Sequence, residues 1–407
     1  MLQRVMILVI VSLFILVSPV CGVSSKGPLI RVGIISNQEN IFITAEKEFS
    51  LVDAETGNVI SRCPAGVKVT LSNNNVNALV NGKPTTANEI KVVFPTGMEQ
   101  TLEINKRFYR GAISVRYMSG KHSFTVVNTL ALEDYLCGVL PREISPEWPV
   151  DALKAQAIAA RTYAIYSMNK HKSDGYDVCA TTDCQVYGGI AVEDDRTNMA
   201  VYDTKGLVMV YNDKPIPALF HCSSGGYTEN SENVWGGYFP FLRSVKDYDE
   251  QSPYYKWEKR MLVADLEAAL KRAGHDIGKL QAVKLSQLDE QVKSSIDRSD
   301  RTISGRVKSI RFIGSQDEIA LSGTEVRSLV GLNSTLFDVK VVSPAVMNVK
   351  GEASAIFVFE GYGWGHGIGL SQWGAKAMAE QAPQGAAEYF KVILKHYYSG
   401  VSFEKEY

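Results

Sequence analysis

A chain of 407 residues, 45% of them hydrophobic, carries enough apolar side chains for one large core or two ordinary ones, which excludes an intrinsically disordered protein. Its 43 Lys and Arg against 44 Asp and Glu leave a formal net charge of −1, with no long run of either sign. That balance argues against nucleic acid, and against an anionic membrane surface, as a partner.

The chain opens with Arg4, an apolar run over residues 5–17, and the small or turn-forming stretch Ser18, Pro19, Val20, Cys21 and Gly22. This three-part layout predicts a secretory signal peptide over residues 1–22. The run is short for a membrane-spanning helix, which needs about 20 apolar residues. An uncleaved anchor, or lipidation on Cys21, is the alternative by which the protein would meet a membrane. An exported protein, in the periplasm or the extracytoplasmic cell wall, is therefore expected. Of the six cysteines, Cys63, Cys137, Cys179, Cys184 and Cys222 remain once Cys21 is removed or lipidated. Five is an odd number in a compartment that permits disulfides, so at least one stays unpaired within the chain.

Residues 29–127 are rich in β-branched side chains, with Asn73, Asn74, Asn75 and the pair Asn81-Gly82 as breaks, and predict a β-rich amino-terminal region. Helical character begins at 132–140. It strengthens after Pro149, placed at the first helical position, where Val150, Leu153, Ala157, Ala160 and Ala164 recur on one small-residue face. Over 238–345 the character changes to a charged helix at 262–272, a polar stretch at 289–301 and strand-like residues 307–313, which predicts a second lobe or insertion. Residues 346–407 return with a Gly-rich segment and two helical runs, so the organisation expected is 29–237, 238–345 and 346–407.

Four segments carry more polar, aromatic and glycine residues than a plain core requires. Residues 132–161 read LEDYLCGVLPREISPEWPVDALKAQAIAAR and set Glu143 between Pro141 and Trp148, just ahead of a helix. A carboxyl against apolar surface stays protonated and can serve as a general acid; a capping or solvated glutamate is the plain alternative. Residues 179–187, CATTDCQVY, follow His171 and contain Asp183. Cys179 and Cys184 are close enough for a small disulfide loop, a pair of free thiols, or metal ligation. Residues 220–237, FHCSSGGYTENSENVWGG, suit recognition of sugar hydroxyls and ring faces, and lack the pattern of a serine hydrolase. Residues 361–376, GYGWGHGIGLSQWGAK, lack a phosphate-binding pattern. Their glycines point instead to backbone that passes close to a ligand or another strand, flanked by Trp364, His366, Gln372 and Trp373.

Together with SGRVKSIRFIG and LVGLNS between the third and the fourth, these segments resemble the stage II sporulation protein D (SpoIID/LytB) family, in order and in spacing, over residues 30–400. The resemblance implies a peptidoglycan lytic transglycosylase that acts on glycan strands already denuded of their peptides by an amidase, with Glu143 as the general acid. It also implies glycan contacts among Gln156, Arg161, Tyr163, Gln185, Tyr187, Ser224 and Gln372, and a structural zinc near the CATTDCQVY motif. Members often have His before the second cysteine where this chain has Asp183, so Cys179 and Cys184 are the first ligands expected, with His171 a third. The reaction requires no cofactor, and one carboxyl suffices for it, whereas a hydrolase usually needs two. The rival implied by the family is a non-catalytic peptidoglycan binder that enhances an N-acetylmuramoyl-L-alanine amidase. The fold expected is α+β: a β-rich amino-terminal region, a helical catalytic core and a second α+β lobe, forming a groove.

Overall fold

Period-two alternation builds the first part of the chain. In the strand Ile41–Ala45, Ile41, Ile43 and Ala45 are buried while Phe42 faces outward. The computed structural model describes residues 27–95, 100–288, 299–347 and 353–407; the expected signal peptide, Cys21 and residues 289–298 of the polar stretch lie outside them. Seven strands form one sheet, in the order Val178–Cys179, Leu29–Gln38, Ser123–Ala131, Ala112–Met118, Glu89–Val93, Phe49–Asp53, Val59–Cys63. Six short strands between 41 and 109 form another. Ile30, Val32, Leu51, Val115 and Phe124 of the first sheet share one buried core with Ile43, Leu71 and Ile104 of the second. The Asn81-Gly82 break is a two-residue hairpin turn in which Val80 pairs with Lys83; φ is positive at both turn residues, 48° and 78°, which Asn and Gly tolerate best.

The strand Ser123–Ala131 runs directly into helix α1 (Leu132–Glu143). Helix α2 (Val150–Tyr166) follows, with Pro149 at its N-cap, one position earlier than expected. Its small side chains let it lie between two cores. Ala157, Ala160 and Ala164 face the β-sheet core, while Ala155, Ile158 and Ala159 face a second one; Val150, expected on the buried face, is exposed. Helix α3 (Asp195–Asp203) packs on α1 and α2, and the short α4 (Glu232–Trp235) closes this part of the chain.

The second lobe holds α5 (Val263–Arg272), α6 (Gly323–Val330) and two three-stranded sheets around Leu266, Leu270, Phe312, Phe357 and Phe359. The strand expected at 307–313 is Ile310–Gly314. The lobe boundary expected at 345 moves. Residue 345 lies inside the strand Phe337–Met347, which pairs with Ala353–Tyr362, so the lobe closes at 362. Helices α7 (Gln372–Glu380) and α8 (Tyr389–Tyr397) then return to α2 and complete the second core with Ile393, Leu394 and Tyr397. The fold is α+β, and among the described residues no helix is long and apolar enough to cross a membrane.

Candidate functional site

Glu143 is the last residue of α1. Pro141 in the final turn lacks an N–H to continue the helix, and Ile144 adopts extended backbone. The carboxyl is thus delivered at the helix end, where the negative pole of the helix dipole disfavours a second negative charge. It is half-buried, and its pKa is raised: burial is the leading cause, opposed by the Val186 backbone N–H, the Gln372 side-chain amide and Arg142. Val186 donates to Oε1 at 3.3 Å. Proline, helix end and desolvation together favour the protonated acid.

The third and fourth motifs meet beside it. Phe220–His221 pairs in parallel with Leu370–Ser371, and Ser223 and Trp364 bridge their backbones. The glycines serve this close approach: a Cβ on Gly363 would lie 2.6 Å from the Ser223 carbonyl oxygen, and one on Gly365 would lie 2.7 Å from the His221 Cβ. Of the two expected neighbours, ligand or strand, a strand is what these glycines face.

Around Glu143 the surface opens into connected cavities. One of about 410 Å³ is lined by Glu143, Tyr163, Cys184, His221, Trp235, Arg327, Trp364, His366 and Gln372, among others. A neighbour of about 370 Å³ shares Glu143, Cys222, Trp364 and Gln372 with it and adds Trp148, Tyr254 and Trp373. A third, of about 520 Å³, shares Tyr163, Leu219 and Trp235 and adds Tyr166. The result is a groove with Glu143 between its first two compartments. Trp364 stands edge-on to Tyr254, their ring centres 4.4 Å apart, and Trp148 edge-on to Trp373 at 5.1 Å. Such rings offer apolar faces beside polar groups, as sugar binding demands.

The residues expected to touch glycan divide sharply. Tyr163 and Gln372 line the groove. Gln156, Arg161, Gln185, Tyr187 and Ser224 are 0–3% exposed, and this corrects their expected role as contacts. Arg161 grips Glu133 at 2.8 and 2.7 Å inside the protein. Gln185 accepts from the Tyr135 hydroxyl and donates to the Ala160 carbonyl. Tyr187 packs against Tyr135 and Tyr109 and donates to Asn128. Ser224 donates to Asp247, whose pKa burial and Asp249 push up to about 6. Gln156 lies within α2, enclosed by neighbouring elements. Arg161, Gln185, Tyr187 and Ser224 thus serve contacts inside the protein.

Cys179 and Cys184 are free thiols, as are the three other described cysteines, so neither the disulfide loop nor any other pairing forms. His171, Cys179, Asp183 and Cys184 bring one donor atom each within 4.8 Å of one another. His171 Nε2 is 3.1 Å from Asp183 Oδ2 and 3.4 Å from Cys184 Sγ, and Cys179 Sγ is 3.7 Å from Asp183 Oδ2. Donors on a tetrahedral zinc sit roughly 3.3–3.8 Å apart, so one imidazole, two sulfurs and one carboxylate suit that ion in both type and spacing. The hydrogen bond between the two thiols lowers the pKa of Cys179 to about 5 and raises that of Cys184, so the first thiolate of the cluster falls at Cys179. Lys170 Nζ lies 3.0 Å from Asp183 Oδ2 and 3.5 Å from Cys184 Sγ, where its charge offsets this anionic cluster.

Sequence reasoning named three of those four donors as ligands and passed over Asp183, although its place before the second cysteine was the signal. It also missed Arg327 and Tyr254 in the groove. Arg327 stands just before the LVGLNS stretch that carries part of the resemblance.

The groove is thus built on an α+β scaffold around one raised carboxyl and framed by aromatic rings. Known proteins carry the assignment further. The family described as "Stage II sporulation protein" matches residues 120–211, and a domain of unknown function matches 235–369. Stage II sporulation protein D of Bacillus amyloliquefaciens is 31% identical over 71% of this chain and 78% of its own length. The amidase enhancer of Bacillus subtilis is 32% identical over 66% of this chain but only 40% of its own length. An uncharacterised protein of Brachyspira hyodysenteriae is 32% identical over 76% of this chain and 75% of its own. The chain belongs to the stage II sporulation protein D family.

Proposed function

We propose that this protein is exported to the cell wall and there cleaves the MurNAc–GlcNAc bond of denuded peptidoglycan strands as a lytic transglycosylase, with Glu143 as its acid. The observation that carries the reading is that, among the described residues lining the groove, Glu143 is the one carboxyl without a salt bridge. The other carboxylate lining the 410 Å³ cavity is Asp183, which Lys170 and His171 engage. Hydrolysis with retention or inversion would need a second carboxylate across the sugar; closure by the sugar's own C6 hydroxyl does not. Glu143 gives its proton to the glycosidic oxygen, and the C1–O bond breaks as the GlcNAc hydroxyl leaves. The C6 hydroxyl then bonds to C1 and returns a proton to the carboxylate, which the Val186 N–H and Gln372 amide have stabilised meanwhile. Digestion of amidase-treated strands by the purified protein should yield 1,6-anhydroMurNAc ends by mass. Reducing ends would instead mean hydrolysis.

The name of the Bacillus subtilis relative supports a second reading, a peptidoglycan binder that enhances an amidase without cutting glycan. Intact strands, retained binding and faster release of peptides by an added amidase would select it.

We assign His171, Cys179, Asp183 and Cys184 as ligands of a structural zinc, which would fasten residues 171–184 where the Tyr163 hydroxyl meets the Asp183 carbonyl. Elemental analysis should find about one zinc per chain. Asp183→Ala should release it to a chelator more readily than wild type, and chelation should lower the melting temperature. A melting temperature indifferent to chelation would remove the zinc from the account.

A further inference from the structure

Among the described residues lining the 410 Å³ cavity, one cation has no counter-ion. Arg327, in the last turn of α6, is the residue that the second lobe contributes to its described lining. Its Nε donates to the Leu332 carbonyl at 3.3 Å, in the loop that turns back after Gly331, and this fixes the plane of the guanidinium. Among the described residues no Asp or Glu pairs with it, and burial alone perturbs it. Across the same cavity His221 is 5% exposed; its Nδ1 donates to the Ile368 carbonyl, and its Nε2 has no partner. With Nδ1 carrying the proton, Nε2 is an acceptor. Burial, then His366 and Arg306, hold the ring neutral.

A planar guanidinium with free terminal N–H groups, lining the same cavity as His221, is complementary to a carboxylate. The other acidic groups of the cavity do not meet the demand: Glu143 favours its neutral form, and Asp183 is already paired. We propose that Arg327 recognises the free lactyl carboxylate on O3 of muramic acid, and so selects glycan strands whose peptides have been removed. The assignment deepens, and rests on, the glycan-strand reading of this groove. In intact peptidoglycan that carboxyl is an amide to the stem peptide. It then carries no charge for Arg327 and brings a bulky chain into a cavity walled by His221, Trp235 and His366. The second lobe thus acquires a task, which is to report that an amidase has already acted.

The test is binding of wild type, Arg327→Gln and Arg327→Lys to three probes: denuded strands, the same strands with lactyl carboxyls converted to methylamides, and peptide-bearing strands. Wild type should bind denuded strands roughly ten- to hundredfold more tightly than methylamidated ones, the range of a charge-assisted hydrogen bond. Arg327→Gln should erase that ratio, and Arg327→Lys should retain part of it. The wild-type comparison alters only the ligand, so it stands even where a variant folds poorly. Equal wild-type affinity for denuded and methylamidated strands overturns the proposal, as does an unchanged ratio in Arg327→Gln. Tightest binding to peptide-bearing strands also overturns it, since the recognised carboxylate would then be the peptide's own terminus. Anhydro-end release is followed in parallel. A carboxylate-dependent ratio without anhydro ends supports Arg327 while removing the transglycosylase; anhydro ends without the ratio do the reverse.

Discussion

Glu143→Gln should lower the release of 1,6-anhydroMurNAc ends by about 10²–10⁴-fold while strands continue to bind, because the amide keeps the shape of the side chain and loses only its transferable proton. The Val186 N–H that donates to Oε1 at 3.3 Å can still be met by the amide oxygen, so the end of α1 stays in place. The pH dependence follows from the direction of the shift. Burial raises the pKa of Glu143, so the working, protonated form persists above the ordinary carboxylate range, and activity falls as pH rises through the raised value. Stability carries the same signature. An acid that holds its proton more tightly folded than unfolded loses folding free energy as pH rises from the unfolded to the folded pKa. Gln at 143 has no such charge to bury. Wild type and variant should therefore have matching denaturation midpoints in acid, and the variant should become the more stable of the two above that window. Residual cleavage at wild-type rate, or a pH profile unchanged by the substitution, would show that another group supplies the proton.

How much of this site could be read from the sequence depends on what each signal encodes. Local chemistry was legible. Asn81-Gly82 names a hairpin because only certain residues accept its positive φ, and the glycines of the fourth motif name a close approach for the same reason. Pro141 and Trp148 around Glu143 already describe an apolar setting for an acid. Whether a polar side chain faces the groove or turns into the protein was not legible. Arg161, Gln185, Tyr187 and Ser224 sit in the first three motifs, yet each spends its hydrogen bonds inward, on Glu133, Ala160, Asn128 and Asp247. Burial, which only the packed fold supplies, separates the two uses. Arg327 eluded sequence reasoning for the opposite reason. A single arginine on an amphipathic helix looks solvated until the lobe carrying it is folded against the groove. The lobe boundary was misplaced because Phe337–Met347 and Ala353–Tyr362 pair across residue 345, and local composition does not show that pairing.

Arg161→Ala should cost about 3–5 kcal/mol of folding stability, the range for removing one partner of a fully buried ion pair. Both Arg161 and Glu133 are 0% exposed. The guanidinium also donates to the Val201 carbonyl at 2.9 Å and to Thr204 and Leu207 at 3.3 Å, while Glu133 accepts from the Gly206 N–H and the Tyr407 hydroxyl. Truncation would leave a carboxylate in the interior with only those two neutral donors. Since Glu133 lies in the first turn of α1 and Glu143 ends it, the same pair anchors the helix that presents the acid, with α2, the segment after α3 and Tyr407 all tied to one carboxylate. Arg161→Lys keeps the charge but not the two-pronged grip, so it should fall between wild type and Ala. The double variant Glu133→Gln, Arg161→Met removes both charges, and it should recover much of the loss because no ion is then left unpaired. Urea denaturation of the four proteins distinguishes this from a packing effect. If the double variant is as unstable as Arg161→Ala, then lost volume and the bonds to 201, 204 and 207 hold α1 in place, and the ion pair does not.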